Sequence, residues 1–296
     1  MTHNVSYDIK KFRAAKRFVR CGISMSKYSY IINSGWWCGE KTPENEKRVE
    51  YGSSEIRGVA FFREWYESIN RHTSPTKIIV VDSASPTIPE LPDDERMEFV
   101  SMDVNGGHST SHIGKYAGCT RCFFVGLAYT YASEADYWVY VEQDALLFGE
   151  GIVEHAIDSM KSDFMFGDRG DTPQPLQQSM MIIRKAAIPG FLKAYAKIKA
   201  TDEIITPEMK FAIASTKIAQ WLPEKFFHQR DYSTFKNKLI NKLQYWLFKY
   251  GRGYDIFPFG FGRAKPVNFS DKYGYFQHGD DQELQKYREA VNKDAS

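Results

Sequence analysis

Cysteine and net charge are both scarce in this 296-residue sequence. The four cysteines are too few and too unevenly spaced for a disulfide framework, so we expect free, reduced thiols. One C-x-x-C pair, at 119 and 122, lacks the second pair or histidine partner that a zinc site needs. The 39 basic side chains nearly cancel the 37 acidic ones, which leaves a formal charge of +2. Such a balance argues against nucleic acid as a partner, because nucleic-acid-binding domains carry a basic excess.

Long apolar segments are absent as well. The longest uncharged stretches reach 12 residues, as at 28–39 and 122–133, whereas a membrane-spanning helix needs about 20 apolar residues. The basic segment 1–27 has no apolar core, so we do not expect a secretory signal. The 43% hydrophobic content is that of a soluble globular protein with a sizeable core. These features predict a cytoplasmic protein.

Short apolar runs alternate with segments of helical period, a pattern typical of an α/β fold. Strands are predicted at 28–32 (closed by a turn at 33–35), 78–81, 98–104, 137–141 and 179–183. Helices are predicted at 54–70, 121–132, 151–160, 206–221 and 235–250. The order predicts a mostly parallel sheet whose strand ends face a common crevice.

Carboxylates follow two of the predicted strands. KIIVVD ends on Asp82, and YWVYVEQD ends on Glu142 and Asp144. Two residues apart in an extended segment, Glu142 and Asp144 would point to the same side and could hold one divalent cation together with substrate phosphate oxygens. The alternative is that all three are solvated loop acids.

Two segments resemble the GT-A-type glycosyltransferases, enzymes with a Rossmann-like sheet that use nucleotide-sugar donors. KIIVVDSASP is similar to the second strand of that family, and GKYAGCTRCFFVGLAYTYASEADYWVYVEQDALL to the segment that ends in its DxD motif. The resemblance covers about 28–185. It implies a GT-A fold with a mostly parallel mixed sheet flanked by helices, a nucleotide-diphosphate sugar donor, and Mn²⁺ or Mg²⁺ as cofactor.

The same resemblance implies roles for individual residues. EQD would be the metal-binding motif, in which Asp144 is the better ligand because Glu142 has the longer arm. Asp82 would contact the base or ribose, and Lys115 would lie near the nucleotide or its phosphates. Asn33, which follows the first predicted strand, is a further expected donor contact.

The family often has a late histidine that completes the metal site and a mobile loop that covers the diphosphate. His278 is the candidate for the first, and Arg263 and Lys265 of FPFGFGRAKP for the second; the alternative for His278 is a surface histidine. If the reaction inverts configuration, a carboxylate must act as general base. The candidates for that base are Asp171, Glu208 and Asp280; if the reaction retains configuration, none is needed.

We expect three parts: a basic N-terminal segment (1–27), a catalytic core (28–200) and a helical extension on the acceptor and membrane side (201–296). Segment 232–254 carries five basic residues and no acid. Its helix is either a packing element with a solvated basic face or a contact with an anionic membrane surface. The acceptor would be a glycan or a lipid-linked glycan in surface polysaccharide or lipopolysaccharide synthesis, at the inner face of the membrane. A sugar nucleotidyltransferase and a non-catalytic carbohydrate- or membrane-binding protein are the competing hypotheses.

Overall fold

The computed structural model describes residues 27–39, 52–262 and 267–294. Their strands are β1 (Tyr30–Trp36), β2 (Lys77–Asp82), β3 (Met97–Ser101), β4 (Gly107–His108), β5 (Ser111–His112), β6 (Tyr137–Val141), β7 (Ala145–Phe148), β8 (Phe164–Gly167), β9 (Gln177–Arg184), β10 (Asp255–Ile256), β11 (Gly260–Phe261) and β12 (Gly274–Gln277). Their α-helices are α1 (Phe61–His72), α2 (Gly118–Ala132), α3 (Ile152–Ser159), α4 (Ile188–Lys197), α5 (Pro207–Ser215), α6 (Phe235–Tyr250) and α7 (Asp281–Asp294).

The fold is α/β, with a seven-stranded, mostly parallel sheet in the order β10-β8-β9-β6-β1-β2-β3. β1, β2, β3 and β6 run parallel to one another, whereas β9 is antiparallel to both β6 and β8. β6 and β8 therefore share a direction, and the chain leaves both at the same edge of the sheet. This edge is where open α/β folds build ligand sites.

The core lies on both faces of this sheet because β1, β2 and β6 are apolar on both sides. Residues of β6 alternate between the faces: Val139 and Val141 pack in one apolar cluster, and Trp138 and Tyr140 in the other. Phe123 of α2 contacts Tyr140 edge-to-face, with ring centroids 4.6 Å apart. A strand covered on both faces cannot shift its register without exposing bulky side chains, so the sheet is a rigid base for its edge loops.

A second, three-stranded sheet in the order β11-β12-β7 lies next to the first. A three-residue connection separates β7 from the end of β6, and β7 pairs with β12 in an antiparallel arrangement, with Ala145 opposite Gln277. The last part of the chain is thereby held beside the turn that follows β6.

A buried ion pair fixes the start of α2. The Lys210 ammonium and the Asp202 carboxylate are both fully buried and lie 2.7 Å apart. The other Asp202 oxygen accepts hydrogen bonds from the Ala117 amide and the Thr120 hydroxyl, each at 2.7 Å. Burial lowers the pKa of Lys210 even though Asp202 opposes that shift.

Several predicted elements are confirmed. β6 and α6 have the predicted bounds, α3 lies within the predicted helix, and Thr206 caps α5 through a hydrogen bond from the Met209 amide.

Four predicted boundaries are wrong. The turn at 33–35 is the middle of β1, and the strand at 98–104 ends at 101. α1 begins at Phe61, after a 3₁₀ turn at Glu55–Arg57. α5 ends at Ser215, where the Ser215 hydroxyl donates to the Phe211 carbonyl, and only a 3₁₀ turn at Ala219–Trp221 follows.

No helix in the described ranges is long and apolar enough to cross a membrane. The predicted division of the chain at residues 27 and 200 stays a prediction.

Candidate metal centre and adjoining cavity

Three potential metal ligands meet where the chain leaves β6. Glu142, Asp144 and His278 each place one ligand atom within 4.8 Å of the others. His278 Nε2 lies 2.8 Å from Asp144 Oδ2, and the two side chains are only 12% and 5% exposed. Burial at this level removes competing water, so charge interactions inside the cluster are strong.

The first two ligands are held by a tight turn between β6 and β7. The Ala145 amide donates to the Glu142 carbonyl at 3.0 Å, so the segment turns where the sequence predicted extended chain. Gln143 anchors the turn: its Oε1 accepts from the Trp37 amide at 2.7 Å, and its Nε2 donates to the Trp37 carbonyl at 3.1 Å. The middle residue of EQD therefore joins the ends of β1 and β6 and fixes the two acids on either side.

His278 comes to the cluster at the end of β12. Its φ is +50°, in the left-handed region that non-glycine residues rarely adopt. The Ser53 amide donates to the Gly279 carbonyl at 2.8 Å, and a Cβ on Gly52 would lie 2.5 Å from the His278 carbonyl oxygen. Packing against Gly52 and Ser53 thus holds the backbone of His278 in this conformation.

The donor set fits a divalent cation. Ligands around one octahedral ion at about 2.1 Å lie about 3 to 4 Å apart, which this cluster reaches with small side-chain adjustments. Two carboxylates and one imidazole suit Mn²⁺ or Mg²⁺ and leave positions for phosphate oxygens and water.

The predicted donor-contact residues have other partners in the structure. Asp82 ends β2 and accepts hydrogen bonds from the amide and the hydroxyl of Ser85, which close the turn after the strand. Asn33 is fully buried inside β1, where it donates to the Ile79 carbonyl at 3.1 Å. The Lys115 ammonium donates to the Ala196 carbonyl in α4 at 3.1 Å. Asp82 lies at the carboxyl edge of the sheet, and the role of all three residues in donor binding stays a prediction.

A cavity of about 750 Å³ opens at the same edge of the sheet. We name it the edge cavity; it lies between the loop after β8, the segment 227–232 and α6. Its lining includes Asp168, which follows β8 directly, and Asp171 of the same loop. Asp168 also lines a second, neighbouring cavity of about 520 Å³.

The three candidate general bases lie in different surroundings. Asp171 is exposed and lines the edge cavity. Glu208 is in the first turn of α5, and Asp280 caps α7 by accepting from the Glu283 amide at 2.9 Å. Neither is among the residues that line the edge cavity.

The predicted phosphate contacts Arg263 and Lys265 lie outside the described residues. The ends of their segment are described: Glu283 accepts from the Val267 amide at 3.0 Å and lies next to the position where a Cβ on Gly262 would be. Burial raises the pKa of Glu283.

Sequence reasoning missed the supporting residues Gln143, Gly52 and Glu283. Gln143 stands inside the predicted motif, but nothing in the sequence showed that it bonds to Trp37. Gly52 and Ser53 are more than 220 positions from His278, and no local signal connects them.

The sequence matches no protein-family model and no curated protein. Among solved structures, residues 1–349 of TarS from S. aureus in complex with UDP are similar at 14% identity and a TM-score of 0.36, over 63% of this chain and 54% of that chain. The same TarS fragment in complex with UDP-GlcNAc matches at 15% identity and a TM-score of 0.34, over the same shares. The match spans about half the length of these TarS structures.

Proposed function

We propose that this protein is a metal-dependent glycosyltransferase that transfers a sugar from a nucleotide-diphosphate donor to a glycan acceptor. The observation that carries the proposal is the Glu142–Asp144–His278 cluster at the carboxyl edge of a mostly parallel sheet, the edge at which the edge cavity also opens. A divalent cation held there would neutralise the negative charge that builds up on the leaving diphosphate.

The residues of the chain have separate roles in this proposal. Asp144 and His278 hold the cation from the two sheets, and Glu142 completes the protein ligands. Gln143 fixes the turn so that the ligand geometry exists before the donor binds. Arg263 and Lys265 supply cationic donors to the diphosphate. Asp171 is the base that removes the acceptor proton if the reaction inverts, because it alone of the three candidates lines the edge cavity.

Replacement of one ligand tests the proposal. Asp144→Asn keeps the shape of the side chain and removes its charge. In the wild-type protein, UDP or GDP with Mn²⁺ should raise the unfolding free energy by about 2.7 kcal/mol at a ligand concentration 100 times Kd. In Asp144→Asn this stabilisation and the hydrolysis of nucleotide sugars should both be lost, whereas Glu134→Gln, a change of charge at an exposed acid after α2, should keep them.

The products separate the competing hypotheses. Release of nucleoside diphosphate from a nucleotide sugar supports glycosyl transfer, and release of pyrophosphate would identify a nucleotidyltransferase instead. Full activity of Asp144→Asn would contradict the metal assignment. Stabilisation by glycan or lipid alone, without any response to nucleotide and metal, would contradict the proposal that the protein is a glycosyltransferase.

We further propose that α6 contacts an anionic membrane surface, where a lipid-linked acceptor in surface polysaccharide assembly would be found. One side of α6 is an apolar stripe that faces solvent: Phe235, Leu239, Leu243, Trp246 and Tyr250. Phe235 and Tyr250 are 83% and 76% exposed, whereas Gln244 and Phe248 on the opposite side are buried. These values argue against a core-facing role for the stripe.

The charge beside the apolar stripe identifies the surface it fits. At 100° per residue, Lys238, Lys242 and Lys249 lie along one edge of the stripe, and Lys236 lies along the other. Apolar and aromatic side chains edged by lysines suit the boundary between headgroups and acyl chains of anionic lipid, where each lysine contributes about 1 kcal/mol.

Vesicle flotation tests this contact. The protein should float with vesicles that contain phosphatidylglycerol and not with pure phosphatidylcholine. Phe235→Ser with Trp246→Ser should abolish flotation, and Lys238→Gln with Lys242→Gln should weaken it about tenfold or more. Ile113→Ser removes an exposed apolar side chain elsewhere and should have no effect. If the variant with Phe235→Ser and Trp246→Ser still floats with the vesicles, the proposed membrane contact of α6 is contradicted.

A further inference from the structure

We infer that the edge cavity is the acceptor site and that it selects an acceptor that carries a phosphate or carboxylate group. That the ligand is a sugar acceptor rests on the proposed function, but the preference for an anion follows from the cavity itself. Four cationic side chains line it, Arg169, Arg230, Lys249 and Arg252, against two carboxylates.

The position of the cavity connects it to the metal centre. Asp168 leaves β8 at the same edge of the sheet where Glu142 leaves β6, because β9 is antiparallel to both strands. The Tyr275 hydroxyl of β12 lies 3.4 Å from Ser179 Oγ, and the Ser179 carbonyl accepts from the Glu142 amide at 2.8 Å. A Cβ on Gly167, the residue before Asp168, would lie 3.0 Å from the same hydroxyl. Burial raises the pKa of Tyr275, and the negative charges of both Glu142 and Asp168 add to that shift. An acceptor in the cavity would therefore lie beside a donor held at the metal centre.

The cationic groups of the cavity form no ion pair with a carboxylate of the described residues. Arg230 donates to the carbonyls of Phe226 and His228, at 2.9 and 2.7 Å, which are neutral acceptors. Arg169 donates to the Thr172 carbonyl at 2.6 Å and stacks on the ring of Tyr245, with 4.7 Å from the guanidinium carbon to the ring centroid. Across the described part of the chain, no carboxylate lies within 4.0 Å of a charged nitrogen of the four cationic residues.

A concave site lined by an excess of positive charge has a stronger electrostatic potential in its interior than a flat surface with the same charges. The edge cavity should therefore attract anions more strongly than such a surface would. Lys249 and Arg252 are exposed; the Lys249 ammonium lies 5.4 Å from the ring centroids of Tyr245 and Tyr250, which carry no charge. Arg169 and Arg230 are held rigidly by the carbonyls and the ring that they contact. Charge-assisted hydrogen bonds from such groups would distinguish an anionic glycan from a neutral one.

The rest of the lining suits a sugar. Tyr232 and Tyr245 offer aromatic faces, and Asn241 offers an amide that can bond to hydroxyl groups. Asn241, Tyr245 and Lys249 all come from α6, whose apolar stripe faces away from the cavity. An anionic group on a soluble glycan and one on a lipid-linked glycan would meet the same cationic groups.

Calorimetric titration in EDTA, without nucleotide, tests the inference. Wild-type protein should bind glycerol 3-phosphate and glucuronate saturably, and should not bind glycerol or glucose at the same concentrations. Lys249→Gln with Arg252→Gln should weaken binding of both anions about tenfold or more, because each lost contact is charge-assisted. Lys193→Gln with Lys197→Gln makes the same change of charge on exposed residues of α4 and should leave it unaltered.

Equal binding of charged and neutral probes would overturn the inference. So would anion binding that is unchanged in the variant of Lys249 and Arg252, since two of the four cationic side chains on which the inference depends would then contribute nothing. The unfolding midpoint of each variant without ligand shows that it is folded. Dihexanoyl phosphatidylglycerol separates the two sources of the anion. If it binds more tightly than glycerol 3-phosphate, its acyl chains contribute and the acceptor is lipid-linked; equal binding indicates a soluble glycan.

The two proposals fail separately. Stabilisation by UDP or GDP with Mn²⁺ is measured on the same preparations and reports the donor site. If this stabilisation is absent, the proposed glycosyltransferase function is contradicted. The titration in EDTA still decides whether the cavity binds anions.

Discussion

At the scale of the residue, Gln143 shows how a site depends on a side chain that does no chemistry. It makes two hydrogen bonds to the backbone of Trp37, one as acceptor and one as donor, and so it ties the EQD turn to the end of β1. The acids on either side could be predicted from the sequence, because carboxylates after apolar strands are a local pattern. The role of Gln143 could not, because it depends on which strand lies next to β6.

Gln143→Ala should therefore impair the metal centre more than it impairs folding. We expect the affinity for Mn²⁺ to fall about 10- to 100-fold, as for other residues that orient metal ligands. The unfolding free energy should fall by only about 1 to 2 kcal/mol for the lost hydrogen bonds. Titration with Mn²⁺ and urea denaturation measure the two effects. Gln285→Ala, on the exposed side of α7, should change neither; an unaltered Mn²⁺ affinity in Gln143→Ala would show that the turn is held by other contacts.

His278 is the other residue whose setting was hidden from the sequence. The resemblance to GT-A enzymes suggested it, and the structure places it 2.8 Å from Asp144. The left-handed backbone at this position needs the contact with Gly52 and Ser53. Neither the spacing nor the composition of residues in the sequence indicates a contact between positions so far apart.

At the scale of the element, the spacing of apolar residues predicted the positions of β6, α3 and α6, because each has a regular apolar pattern. That pattern is buried in β6 and α3, whereas the stripe of α6 faces solvent. The prediction failed at 33–35, where Asn-Ser-Gly has the composition of a turn. Asn33 can remain in a buried strand because its amide donates to the Ile79 carbonyl and accepts from Trp138 Nε1 at 3.3 Å. Tertiary hydrogen bonds of this kind override local preference.

The contact between β1 and α2 gives an element-scale prediction. A Cβ on Gly126 of α2 would lie 2.1 Å from Asn33 Oδ1. Gly126→Ala should therefore lower the unfolding free energy by about 1 to 3 kcal/mol, although alanine favours a helix. In α4, a Cβ on Gly190 would meet nothing within 4 Å, so Gly190→Ala should be neutral or stabilise by up to about 1 kcal/mol.

Urea denaturation of the two alanine variants measures the contrast. Equal effects of the two substitutions would mean that Asn33 moves without cost and that α2 does not depend on a close approach to β1.

At the scale of the whole molecule, the last part of the chain is built into the same structure as the first. β10 extends the central sheet by pairing with β8, and β12 pairs with β7. In α7, Leu284 is fully buried, and the Tyr287 hydroxyl donates to the Leu147 carbonyl at 2.9 Å. Arg288 forms ion pairs with Glu55 and Glu64, near the start of the described chain.

These contacts predict a single cooperative unfolding transition. Leu284→Ala should lower the unfolding free energy by about 2 to 5 kcal/mol, because it leaves a cavity in the core. Leu239→Ala, at a leucine of α6 that is 47% exposed, should change it by less than about 0.5 kcal/mol. Circular dichroism and tryptophan fluorescence should give coincident curves. An early transition that unfolds α7 and leaves the rest intact would instead show that residues 201–296 include a separate unit.

The pairing of β7 with β12 also has a consequence for the timing of activity during synthesis. The proposed metal ligands at positions 142 and 144 emerge from the ribosome long before the one at 278. The early strands can pair as they emerge, but the nascent chain has an incomplete metal centre until β12 docks. If the proposed function holds, a copy made only as far as β7 would consume no sugar nucleotide, and catalytic competence would begin only after β12 has emerged and docked.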